Sequence, residues 1–104
     1  MKTEYLDSNK SGINLSLDLI DALRKNDQTA QLKVYKLYYK EMYNITLRIV
    51  ADPVEAEEIM QESFLEAFEG ISKYSEKGPF LVWLKCFVLN RSVDFLRRNF
   101  TKRI

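Results

Sequence analysis

Histidine is absent from the 104-residue chain, cysteine occurs once, proline twice and glycine three times. Without histidine there is no Ser-His-Asp triad, no Cys-His pair and no His-ligated zinc. The single thiol, Cys86, has no partner for an internal disulfide, which points to a reducing, cytoplasmic setting and to a small packing residue. The glycines at 12, 70 and 78 are isolated, so neither a GxGxxG nor a GxxxxGK[ST] phosphate loop is present. Uninterrupted apolar runs extend over only a few residues, too short to span a membrane. Met1-Lys2-Thr3-Glu4 leads into polar sequence with no apolar h-region. These absences predict a binding protein rather than an enzyme, with no cofactor and no metal.

What is present suffices for one domain. Hydrophobic residues make up 46% and charged residues 30% of the chain, a balance that excludes collagen-like, low-complexity and disordered classes. The formal net charge of +1 conceals a strong partition. Residues 79–104 set six cations against Asp94, a net of +5, whereas residues 52–76 set eight carboxylates against Lys73, a net of −7. Such blocks can be solvated faces that attract each other, or they can serve two partners, one basic and one a polyanion such as nucleic acid. Charge alone does not choose.

Apolar periodicity predicts four helices and no strand. Residues 1–14 show no periodicity and read as a mobile tail, leaving 15–104 for the bundle. Leu15, Leu19, Ile20 and Leu23 give a short amphipathic helix ending near Lys25-Asn26. Asp27 caps a second helix, from about Gln28 to Val50. Its predicted core face is Leu32, Tyr35, Tyr39, Met42, Thr46 and Ile49, widened by Val34, Tyr38, Ile45 and Val50. Asp52-Pro53-x-Glu55 is a cap, a first-turn proline and a capping box in succession. The third helix that follows carries Ala56, Ile59, Met60, Ser63, Phe64, Ala67, Phe68 and Ile71 on one face. After a polar loop at Ser72–Gly78, Pro79 opens a fourth helix to about Phe100, with Phe80, Trp83, Leu84, Phe87, Val88, Phe95 and Leu96 as its apolar set. The class is all-α, a compact bundle with short connections.

Two surfaces stand out. Opposite the core face of the third helix, Glu58, Gln61, Glu62, Leu65 and Glu69 fall into one stripe at spacings of three and four. A lone exposed leucine needs no explanation, but an acidic rim around an apolar centre also suits docking of a basic helix. On the fourth helix Asn90, Asp94 and Arg97 share a face, with Arg91, Arg98 and Lys102 alongside. The preceding loop adds Lys73, Tyr74, Ser75 and Lys77, and Trp83 lies within two turns. Cations of this kind hold phosphates, while Asn, Tyr and Trp can bond or stack on exposed bases. For Trp83, between Phe80 and Phe87, a core role competes with base stacking.

Residues 26–98 resemble the second conserved domain of the extracytoplasmic-function (ECF) sigma factors of bacterial RNA polymerase. The likeness runs from Asn26-Asp27-x-x-Ala30 through Tyr35, Tyr38-Tyr39 and Leu47. It continues in Asp52-Pro53-x-x-Ala56-Glu57-Glu58-Ile59-Met60-Gln61-Glu62-x-Phe64-Leu65 and in Ile71-x-x-Tyr74. Pro79-Phe80-x-x-Trp83-Leu84 and Asn90-x-x-x-Asp94-x-x-Arg97-Arg98 complete it without a gap.

The resemblance implies that Glu58, Gln61, Glu62 and Leu65 dock on the clamp helices of the polymerase β′ subunit. It implies that Lys73, Tyr74, Ser75, Lys77 and Trp83 belong to the region that takes up the non-template strand of the minus-ten promoter element. Asn90 would then sit near a flipped base, with Arg91, Arg97 and Arg98 on phosphates. It further implies an anti-sigma protein as a regulatory partner. A helical interaction module with the same fold but no productive DNA reading is the alternative. Three departures are visible. Gln31 stands where the family commonly has an aromatic, and Gly78-Pro79 where it often has basic residues. No second helical domain for the minus-thirty-five element follows, which reads as a fragment of a longer protein.

Overall fold

A computed structural model describes residues 15–103, with side chains as far as Phe100. The tail expected over 1–14 lies outside the described residues. Four helices follow one another: α1 (Leu17–Arg24), α2 (Gln28–Val50), α3 (Pro53–Glu69) and α4 (Phe80–Arg103). The architecture is the expected all-α bundle, and local chemistry sets its corners. Ser16 Oγ accepts from the Leu19 amide at 3.2 Å and starts α1. Asp27 does the same for α2 through Thr29, and Asp52 caps α3 by accepting from the amides of Val54 and Glu55. Asn26 and Ala51, the residues just before these last two caps, are left-handed, with φ of 62° and 56°. At the first corner Gln31 Nε2 donates to Asn26 Oδ1 at 2.9 Å, which gives the departure at Gln31 a local role.

α2, α3 and α4 pack on one another around Phe64, Phe80, Met42, Leu84, Val34 and Val88, and α1 covers the start of α2. Among the described residues three buried aliphatic hydroxyls lie on these helices: Thr46, Ser63 and Ser92. Each donates to the carbonyl one turn back, at 2.6 to 2.7 Å, so small polar residues permit close helix approach without an unpaired donor.

The core phase of α2 differs from expectation. Buried positions run Ala30, Val34, Tyr38, Met42, Thr46 and Val50, while Leu32 is exposed and Tyr35, Tyr39 and Ile49 are half-buried. A four-residue step advances 40° per turn beyond a full rotation, so the buried stripe winds around a helix covered by different partners along its length. On α4 the buried set is Phe80, Leu84, Val88 and Ser92; Leu96 is exposed with Val82, Leu89, Val93 and Phe100 on the outer surface. Cys86 is also exposed rather than packed, because it lies away from the Leu84–Val88 line. The polar loop expected over Ser72–Gly78 begins with a 3-10 turn at Ile71–Lys73, and Ile71 is buried there.

Candidate nucleic-acid and partner interface

α3 presents the acidic stripe. Leu65 is 63% exposed, and Gln61, beside it, donates to Glu57 Oε2 at 3.3 Å. Glu58 is exposed and Glu62 half-buried. Both lean toward α4, where they line a groove of about 750 Å³. One wall of this groove is Glu55, Glu58, Glu62 and Glu66; the other is Asn90, Arg91, Asp94 and Arg98; Ile59, Phe87 and Phe95 lie between. Two surfaces that read as separate in sequence therefore share one cleft.

Arg91 bridges the cleft. Its Nη1 donates to Glu62 Oε1 at 3.0 Å and its Nε to Glu66 Oε1 at 2.8 Å. A cation expected on phosphate is thus held by the acidic helix. Arg97 is exposed and lines a different hollow with Phe95, Leu96 and Phe100, away from Arg98. The side chain of Lys102 lies outside those described.

The connection between α3 and α4 is built around Tyr74, which is only 5% exposed. Its ring packs edge-on to Phe80 at 5.4 Å and against Trp83 at 5.3 Å. Its hydroxyl donates to the Gly78 carbonyl at 2.7 Å, closing the segment on itself. Trp83 is half-buried, T-shaped on Phe87 with centroids 4.8 Å apart. Tyr74 and Trp83 accordingly shape the loop from beneath, while Lys73, Ser75 and Lys77 are among its exposed side chains. Burial, reinforced by Glu76 and opposed by Arg24, raises the Tyr74 phenol above its ordinary pKa. Residue types and spacing give no sign of Arg24. Its guanidinium reaches from α1 to the Tyr74 carbonyl at 3.1 Å and to the Glu76 carboxylate, tethering the loop. Sequence reasoning misses Glu66 as well, since only the packing of α4 brings Arg91 to it.

A further hollow of about 370 Å³ between α2 and α3 is lined by Tyr35, Tyr39, Tyr43, Asn44, Glu57 and Met60. Tyr35 and Tyr39 stack there at 5.3 Å. Among the described residues no cluster of three or more Cys, Asp or Glu side chains is placed to hold a metal ion, and no helix is long and apolar enough to cross a membrane.

The fold is an all-α bundle in which an acidic helix packs beside a basic one. Residues 34–100 match Sigma-70 region 2. The chain is 29% identical over 80 residues to the ECF RNA polymerase sigma factor SigW of Bacillus subtilis, covering 77% of this chain and 43% of that protein. It is 27% identical over 67 residues to SigM of the same organism, covering 64% of this chain and 40% of SigM. With the RNA polymerase sigma-H factor of Pseudomonas aeruginosa it shares 23% identity over 78 residues, 75% of this chain and 40% of that factor. The chain belongs to the Sigma-70 region 2 family, of the ECF type. It spans about two-fifths of the length of these three relatives. Family membership agrees with the expectation of a non-enzymatic protein.

Proposed function

We propose that this chain is the part of an ECF sigma factor that docks on RNA polymerase and reads the minus-ten promoter element. The observation that carries this reading is the match of residues 34–100 to Sigma-70 region 2. The opposed charges of α3 and α4 support it. In this reading Glu58, Gln61, Glu62 and Leu65 meet the β′ clamp helices, a basic coiled coil, with Leu65 as the apolar centre inside a carboxylate rim. Lys73, Ser75 and Lys77 receive the non-template strand, Asn90 lies beside a recognised base, and Arg91, Arg97 and Arg98 neutralise phosphates. Tyr74 and Trp83 act from within, holding the loop in shape, and half-buried Trp83 offers a partly open ring. Extruding a base costs a few kcal/mol, which stacking and edge hydrogen bonds in the loop must offset. The domain works in the cytoplasm, where an anti-sigma protein covers the same surfaces until a signal removes it.

Paired charge and packing variants test the assignment. Leu65→Arg is expected to abolish capture by the isolated clamp helices while single-stranded DNA binding persists. Replacing both Arg97 and Arg98 by Glu is expected to weaken binding of a minus-ten single strand about ten-fold or more, with clamp-helix capture kept. Unchanged DNA binding in the second variant would favour a helical interaction module that retains only the docking face.

A further inference from the structure

The bridge across the groove has properties that neither surface explains alone. Arg91 reaches two carboxylates one helical turn apart on α3, Glu62 through Nη1 at 3.0 Å and Glu66 through Nε at 2.8 Å. One rigid guanidinium thereby holds two separate carboxylates, with a single charge-assisted hydrogen bond to each. Yet the pair is open to solvent: the side chains of Arg91, Glu62 and Glu66 are 39%, 46% and 46% exposed. A buried ion pair would resist exchange, whereas an exposed one sits near energetic balance and yields to a competing partner. Glu62 also faces the acidic stripe, and Arg91 shares its wall of the groove with Asn90 and Arg98. One residue of each surface is therefore occupied by the other.

We infer that Arg91 is a latch linking the two surfaces. This rests on the proposed reading of α3 as the docking face and α4 as the nucleic-acid face. In the free domain Glu62 and Glu66 hold the Arg91 guanidinium and neutralise a phosphate-binding cation. A cationic partner helix that engages Glu62 competes for its carboxylate and repels Arg91, whose guanidinium is then available to a backbone phosphate. Linkage makes the effect reciprocal: a phosphate that takes Arg91 frees the carboxylates and raises affinity for the cationic partner by the same factor. The domain thus binds nucleic acid better once docked, with no change of fold.

The test uses the whole 104-residue chain and a fluorescein-labelled minus-ten single strand read by anisotropy. Wild type, the Glu62→Gln/Glu66→Gln pair, Arg91→Gln and the combined triple variant form a cycle. Removing two carboxylates near a polyanion raises affinity in any background through the general field, and the Arg91→Gln background measures that part. Glu62→Gln/Glu66→Gln is expected to tighten binding about two- to ten-fold more with Arg91 present than in the Arg91→Gln background. With Arg91 present it should also steepen the logarithmic salt slope by about 0.7, one further phosphate on a single strand. Equal gains in both backgrounds, from a wild type that binds, would overturn the latch and leave the DNA reading intact. No binding by any of the four proteins would overturn the DNA reading and the latch with it.

Discussion

Tyr38 carries a buried hydroxyl that has no protein hydrogen-bond partner. Its ring stacks on Phe80 at 6.2 Å, so packing holds it in place while the hydroxyl is stranded. Burial, then the nearby Glu41 and Tyr74, push its pKa from 10.0 up to about 12. A phenol whose folded pKa lies above its unfolded value contributes stability that is complete below pH 10.0 and is lost as pH rises toward 12. Tyr38→Phe is therefore expected to leave neutral stability unchanged or raised by about 1 kcal/mol. It should also remove part of the alkaline loss, which for Tyr38 is on the order of 2 kcal/mol. Urea titrations at pH 7 and pH 11 check both expectations. Ala51 is the second residue with a definite sign. It sits at φ 56° with its amide bonded to the Leu47 carbonyl, a left-handed cap that suits glycine. Ala51→Gly is expected to stabilise by about 0.5–1 kcal/mol, read as a higher urea midpoint at unchanged slope.

At the scale of elements, what is legible in sequence is whatever is local. Asp27, Asp52 and Pro53 announce the starts of α2 and α3 because a cap is settled within four residues. The acidic stripe is legible for the same reason, since spacings of three and four place side chains on one face whatever the tertiary fold. The core phase of α2 is not, because large apolar residues such as Leu32 outweigh Ala30 in a periodic pattern, and only the neighbouring helices decide which is covered. Arg24 illustrates the same limit in the loop. Its partner Glu76 is 52 positions away, and nothing in the residues around either one signals the pairing. Arg24→Ala removes the contacts to Tyr74 and Glu76 while leaving the aromatic packing under the loop. It should cost about 1 kcal/mol and raise hydrogen exchange selectively across residues 71–78. Unchanged exchange there would mean that Tyr74 alone fixes the segment through Phe80, Trp83 and the Gly78 carbonyl.

For the whole molecule the decisive feature is the partition of charge, −7 over residues 52–76 against +5 over 79–104. In sequence it leaves two meanings open, mutual attraction or two partners, and the structure contains the elements of both. Arg91 spends its guanidinium on Glu62 and Glu66, while Leu65, Gln61, Lys73, Lys77 and Asn90 remain on the surface. The resemblance in the helix motifs locates these surfaces; the cleft that joins them emerges only when α3 and α4 pack side by side. In the proposed function, the basic side of this cleft and the loop between α3 and α4 read single-stranded promoter DNA. Fluorescence anisotropy with short labelled strands carrying varied minus-ten-like sequences, at low and moderate salt, tests this most directly. The expected result is binding that discriminates between bases and weakens steeply with salt, because loop contacts carry selectivity and phosphate contacts carry affinity. Salt-sensitive binding indifferent to sequence, or no binding at all, would contradict it.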